Sequence, residues 1–209
     1  MRHLSPPRAL LVIAAVTLTA ACSDDGRSLR EPGTGGATPR PIPTTTVPVD
    51  IFSDAIAGDF VVRSPAVRPG DLLPRRHTAG GANVAPEIQW RNPPAGAVEI
   101  AIVMTDITDG FVHWVVTGID PVSGTVFEAL IPPGAVETIN DFGQSGYGGP
   151  APPVGADAHS YVFKVLALGE FSGITPDQLG RDVIAELEGI AIGVAELFTF
   201  YRQASVGNS

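Results

Sequence analysis

The chain has 209 residues, 22 acidic against 13 basic, a formal net charge of −9 and a single cysteine. A lone cysteine excludes an intramolecular disulfide, so a folded domain must hold together by core packing alone. The acidic balance, with Lys164 the only lysine and no basic run, argues against nucleic acid and anionic membrane surfaces as partners.

Arg2, His3 and Arg8 form a positive opening, and an apolar run over 9–18 is too short to span a bilayer. Leu18-Thr19-Ala20-Ala21-Cys22 then places small residues directly before the cysteine. This is the pattern of a bacterial lipoprotein signal over 1–21, with Cys22 as the lipidated mature N-terminus. Thr19 stands where Leu, Val or Ile is usual, which keeps ordinary secretory cleavage or a retained anchor helix open as alternatives. Loss of Arg2 and Arg8 leaves 11 basic against 22 acidic residues, a formal charge of −11. Residues 22–50 are rich in Gly, Pro and Thr and have almost no large apolar side chain, so they read as a disordered tether. Such a tether reaches roughly 90 Å extended and about 30 Å as a coil.

Residues 51–209 read as one globular domain with no internal repeat. Apolar runs at 100–104 and 114–119 are continuous enough for strands buried on both faces, and 161–168 is a third run, interrupted by Lys164. Pro-Gly turns punctuate the intervals, at Pro69-Gly70, Pro93-Pro94-Ala95-Gly96 and Pro132-Pro133-Gly134. Helix signals come late. Thr175-Pro176-Asp177-Gln178 has the form of a capping box opening a helix over 175–187, a second helical stretch is expected at 190–196, and an edge strand at 198–201. The fold class is mainly β, a large antiparallel sheet or sandwich with a few peripheral helices near the C-terminus.

Polar chemistry gathers in three patches. Thr105-Asp106-Ile107-Thr108-Asp109 ends one strand and Phe111-Val112-His113-Trp114 begins the next, so a hairpin would bring Asp106 or Asp109 beside His113 as a carboxylate–imidazole couple. The third patch is the loop Gly146-Tyr147-Gly148-Gly149-Pro150-Ala151-Pro152-Pro153, with free backbone N–H groups, followed by His159-Ser160-Tyr161. Two imidazoles, a phenol and loop N–H groups suit a phosphate or carboxylate oxygen.

The order Ser64-Pro65, Gly80-Gly81-Ala82-Asn83-Val84-Ala85-Pro86, Trp90, Asp106, His113-Trp114, Gly146-Tyr147-Gly148-Gly149-Pro150-Ala151-Pro152-Pro153 and His159-Ser160-Tyr161 resembles the phosphatidylethanolamine-binding protein family. It is most similar to the bacterial YbhB/YbcL branch, also called Raf kinase inhibitor-like proteins, and the likeness spans residues 57–201. The resemblance implies a large antiparallel β-structure with a small anion pocket. It further implies that Asp106, His113, Gly149, Pro150, His159 and Tyr161 bind the ligand, with Trp114 beside them. Three departures stand out. The family's Asp-Pro-Asp is Asp106-Ile107-Thr108-Asp109, which leaves the second acid either replaced by Thr108 or displaced to Asp109. Its Gly-Pro-Cys-Pro-Pro carries Ala151, and its His-Arg-Tyr reads His159-Ser160-Tyr161, without the arginine.

The expected function is therefore binding of a small anionic ligand, such as phosphate or a phospholipid head group, by a lipid-anchored protein of the cell envelope on its extracytoplasmic side. A protein-interaction or inhibitor module is the alternative. A hydrolase ranks below both, since the chain has no Gly-x-Ser-x-Gly elbow. No catalytic residue, cofactor or metal centre is expected, and the oligomeric state is not specified by the sequence. Cells fed labelled palmitate are expected to label the protein, and Cys22→Ser to abolish the label and release the protein from the membrane fraction; equal labelling of the variant would refute the anchor.

Overall fold

The computed structural model describes residues 50–204. The expected lipoprotein signal, Cys22 and the expected tether up to residue 49 lie outside these residues. Eight strands form two sheets: β1 (Val61–Arg63), β2 (Ile88–Arg91), β3 (Glu99–Asp106), β4 (Val112–Ile119), β5 (Gly124–Val126), β6 (Val136–Glu137), β7 (His159–Leu168) and β8 (Ala191–Tyr201). The smaller sheet has the order β1-β2-β5 and the larger β6-β4-β3-β7-β8, every pairing being antiparallel.

The continuous apolar runs are central strands, as period and composition demand. Ile100, Ile102 and Met104 of β3 pack with Phe163 and Val165 of β7, Trp114 of β4 and the small sheet's Val62, Ile88 and Trp90. The alternate residues Ala101 and Val103, with Val115, Leu166 and Leu168, pack on the other face against Val183 and Leu187 of α1 (Gly180–Gly189). The large sheet is thus covered on one side by a sheet and on the other by a helix. Glu99 is buried at the start of β3 and its carboxylate accepts hydrogen bonds from Gly118 N–H, Ser172 N–H and Ser172 O–H, so this acid ties the end of β4 to the loop after β7.

The C-terminal third departs from the sequence expectation in two places. The capping-box contact is made, Thr175 N–H donating to Gln178 Oε1 at 2.7 Å, but it closes a turn and not a helix. Ile139 N–H donates to Gln178 O and Gly180 N–H to Ile139 O, holding residues 178–180 extended, so α1 starts only at Gly180. The stretch 190–196 is not helical. It is the first half of β8, which pairs with β7 along the whole length of that strand. Its period is two: Ala195 and Leu197 are buried, whereas Ile192, Val194, Phe198 and Phe200 face outward. The edge strand expected at 198–201 is the second half of β8. There the free edge is closed by residues 70–73, Gly70 N–H donating to Phe198 O and Leu73 N–H to Phe200 O. Among the described residues the helices reduce to α1 and one 3-10 turn, Arg75–His77, which lies far from the C-terminus in sequence.

The two faces of the sheet differ in consequence. Phe163 is fully buried, so Phe163→Ala is expected to cost about 3–5 kcal/mol of unfolding free energy in a denaturant titration. Phe198→Ala, at a position 43% exposed, is expected to cost below about 1 kcal/mol.

Candidate functional site

At one end of the large sheet the tips of β3, β4 and β7 surround a cleft of about 200 Å³. Asp106, His113, His159 and Tyr161 all line it, together with Asp109, Phe111 and Phe142. Ala151, Pro152 and Pro153 complete the wall, while Gly149 and Pro150 do not belong to the lining.

Two features of the sheet deliver the side chains. Antiparallel pairing sets Asp106 opposite Tyr161, so His159 follows two residues further out on the same face. In β4 the ladder runs from Met104↔Trp114 directly to Thr105↔Val112, which leaves His113 as the extra residue of a β-bulge. The bulge turns His113 toward the cleft while Trp114 remains in the core.

The carboxylate–imidazole couple forms, but with a different histidine from the one the hairpin suggested. His159 Nδ1–H donates to Asp106 Oδ2 at 2.6 Å, whereas His113 Nδ1–H donates to the Gly148 carbonyl at 2.6 Å. A carbonyl and a carboxylate only accept, so Nδ1 carries the proton in both neutral rings and each Nε2 is left as an acceptor. Burial pushes the His113 pKa below its ordinary value; the Gly148 carbonyl and the carboxylates of Asp106, Asp109 and Asp141 oppose that shift without cancelling it.

Three of the loop N–H groups read as free, those of its glycines, are spent internally. Gly146 N–H donates to Thr138 O, Gly148 N–H to His113 O and Gly149 N–H to Asn83 Oδ1 at 2.7 Å. Gly149 and Pro150 are buried against the Arg75–His77 turn: Ala79 N–H donates to Pro150 O, and a Cβ on Gly149 would lie 2.5 Å from His77 O. They act as a second layer that holds the Gly148 carbonyl in place for His113.

Tyr161 is wholly shielded from solvent, and its hydroxyl, beside the Asp106 carboxylate, meets no acceptor in full hydrogen-bond geometry among the described residues, a condition shared only with Thr138 Oγ1. Burial first, and then the neighbouring Asp106 carboxylate, push the phenol above its ordinary pKa, so it stays a donor. The His113 and Tyr161 rings meet edge to face at 5.4 Å, and Phe111 and Phe142 close around His113 at 4.9 and 5.7 Å. Phe142 carries no motif that could have flagged it; it reaches the cleft only because residues 138–148 fold back over β4.

At the departure from the family's second acid the two candidate residues are placed differently. Thr108 Oγ1 accepts Ser160 N–H, while Asp109 lines the cleft with Oδ2 at 4.0 Å from His159 Nδ1. Asp106, Asp109 and His159 thus offer ligand atoms within 4.8 Å of one another, although their sequence spacing suggested no metal centre. Among the described residues no Lys or Arg lines the cleft. A larger open groove of about 540 Å³ between β1 and β8 contains no imidazole, and its lysine, Lys164, is paired with Glu188 at 2.7 Å.

The chain is an antiparallel β-sandwich with a small polar cleft at the end of its central strands. The sequence profile described as "Phosphatidylethanolamine-binding protein" matches residues 63–202, and the chain belongs to that family. A Mycobacterium tuberculosis protein that carries the name lipoprotein LppC is 34% identical over 195 residues, covering 91% of this chain and 93% of the relative. Escherichia coli YbcL is 34% identical over 175 residues, covering 76% of this chain and 96% of its own. The YbcL crystal structure superposes with a TM-score of 0.65 at 29% identity, covering 68% of this chain and 98% of the other. A Chlamydia trachomatis homologue shares the fold, with a TM-score of 0.63 at 24% identity.

Since burial lowers the folded pKa of His113 below the unfolded value near 6.5, the unfolded chain takes up this proton first as pH falls. Stability is expected to hold above about pH 6.5 and to decline progressively below it. Thermal unfolding from pH 7.5 to 5 checks this, and His113→Gln is expected to flatten the decline.

Proposed function

We infer that the cleft binds a small zwitterionic phosphate, a phosphate group joined to an ammonium as in a phospholipid head group, and that the protein is a binding protein and not an enzyme. The observation that carries this reading is the buried Tyr161 hydroxyl without a partner: a buried donor left unpaired is costly, and a ligand oxygen satisfies it. The two imidazole Nε2 atoms accept in their neutral form, which matches a ligand that brings donors of its own, as an ammonium does. Asp109 is half-exposed with Oδ2 open to the cleft, and with Asp106 it favours a ligand that brings its own positive charge. The family description and the lipoprotein name of the mycobacterial relative agree with a head-group ligand and with an anchor at Cys22 on the extracytoplasmic side.

Calorimetric titration tests the reading. O-phosphorylethanolamine is expected to bind more tightly than inorganic phosphate, and Asp109→Asn to erase the difference. Tyr161→Phe is expected to leave stability unchanged or slightly raised while weakening binding about ten- to a hundredfold, the value of one hydrogen bond to a charged group. Equal affinity in wild type and Tyr161→Phe would place the ligand elsewhere.

A further inference from the structure

We propose that Asp106, Asp109 and His159 also form a divalent-cation site of the zinc type, and that the cation and the ammonium end of a zwitterionic ligand compete for the same pair of carboxylates. Both acids are held through one oxygen and presented through the other. Thr108 N–H donates to Asp106 Oδ1 at 2.9 Å and Phe111 N–H to Asp109 Oδ1 at 3.0 Å, so both Oδ2 atoms are left on the side of His159 Nδ1, at 2.6 and 4.0 Å. Ligands oriented by such outer hydrogen bonds are the arrangement that metal sites require.

One feature besides the proposed ligands points to a guest at this spot. The Tyr161 hydroxyl, on a fully buried residue of the same cleft wall, has no partner. Two carboxylates also face a cleft that contains no Lys or Arg. One imidazole and two carboxylates make three protein ligands with a fourth position open, the donor set of zinc and related first-row ions. Calcium, which takes six to eight oxygen ligands, is poorly matched.

Binding needs a small rearrangement. Zinc bonds of about 2.0–2.2 Å require ligand atoms about 3.3 Å apart, so the Asp106–His159 pair opens slightly and Asp109 moves in. The cation takes the Nδ1 lone pair of His159, and the Nδ1 proton transfers through solvent to Nε2; the neutral ring neither gains nor loses a proton. His159 Nε2–H then becomes a donor, and the ion contributes positive charge. A loaded cleft therefore recognises a plain phosphate, whereas a metal-free one needs the ammonium; this second half rests on the function proposed above.

Zinc chloride is titrated calorimetrically into the full-length protein in phosphate-free buffer, and cobalt binding is followed by its visible absorption. One ion per chain is expected, with affinity at least tenfold weaker in Asp109→Asn and in His159→Gln. Asp109 is half-exposed, so its variant is expected to keep the wild-type melting temperature even if His159→Gln folds poorly. No saturable binding by wild type, or equal binding by Asp109→Asn, overturns the metal site whatever the phosphate results. In the second arm, zinc is expected to raise affinity for inorganic phosphate about tenfold and to remove the preference for O-phosphorylethanolamine. A preference unchanged by bound zinc overturns the competition, whereas failure of both phosphates to bind with and without zinc overturns the proposed function and leaves the metal result intact.

Discussion

The pairing of β3 with β7 is the constraint from which the cleft follows. It runs without a break from Glu99↔Leu168 to Asp106↔Tyr161 and is pinned from both faces. Ile100, Ile102, Met104, Phe163 and Val165 face the small sheet, while Ala101, Val103, Leu166 and Leu168 face α1. A slip of one residue would exchange those two sets and put bulky side chains where small ones pack. With the register fixed, Asp106 is the last residue of a core strand, and His159 is the nearest imidazole on the same face. The 2.6 Å bond between them is a product of core packing, since neither residue has a local reason to find the other across 53 positions of sequence.

The second histidine arrives by a different route. A regular β4 would alternate its side chains and send His113 to the face opposite Trp114. The bulge lets both face inward, and Gly148 holds His113 with two hydrogen bonds, one from the ring Nδ1–H to the Gly148 carbonyl and one from the Gly148 N–H to the His113 carbonyl. Glycine at 148 lets the Phe142 ring pack against the loop, since a Cβ there would lie 2.5 Å from the ring and push it away. The Gly-rich loop is therefore a packing element that fixes an imidazole tautomer, and its glycines are needed for close approach and not for open N–H groups.

These routes explain what could be read in advance. The strands at 100–104, 114–119 and 161–168 were legible because residues buried on both faces leave continuous apolar runs. The chemistry-bearing residue types at 106, 113, 159 and 161 were visible as polar interruptions at strand ends, and the family resemblance fixed their order. Their pairing was not legible, because proximity in a hairpin favoured Asp106 with His113, whereas the strand register decided for His159. The 190–196 stretch misled for a related reason: an edge strand with Ile192 and Val194 facing outward lacks the clean polar alternation of a half-solvated strand. The use of the loop N–H groups depends on Asn83 and Thr138, which nothing in the linear pattern connects to residues 146–149.

The electrostatics of the cleft separate recognition by charge from recognition by hydrogen bonding. An anion pocket built on charge would carry an arginine, and here Ser160 occupies the position that the family pattern gives to one. Two carboxylates remain, one of them buried, facing imidazoles whose outward nitrogens accept. Such a surface repels a bare anion and rewards a guest that carries both signs or arrives with a cation. Tyr161 supplies the one permanent donor, held unpaired at a cost that a purely structural tyrosine would avoid by turning to a partner or being phenylalanine. On the function proposed above, a protein that tolerates this cost at the end of its main sheet keeps the hydroxyl for a guest, and the acids around it set the chemistry of that guest.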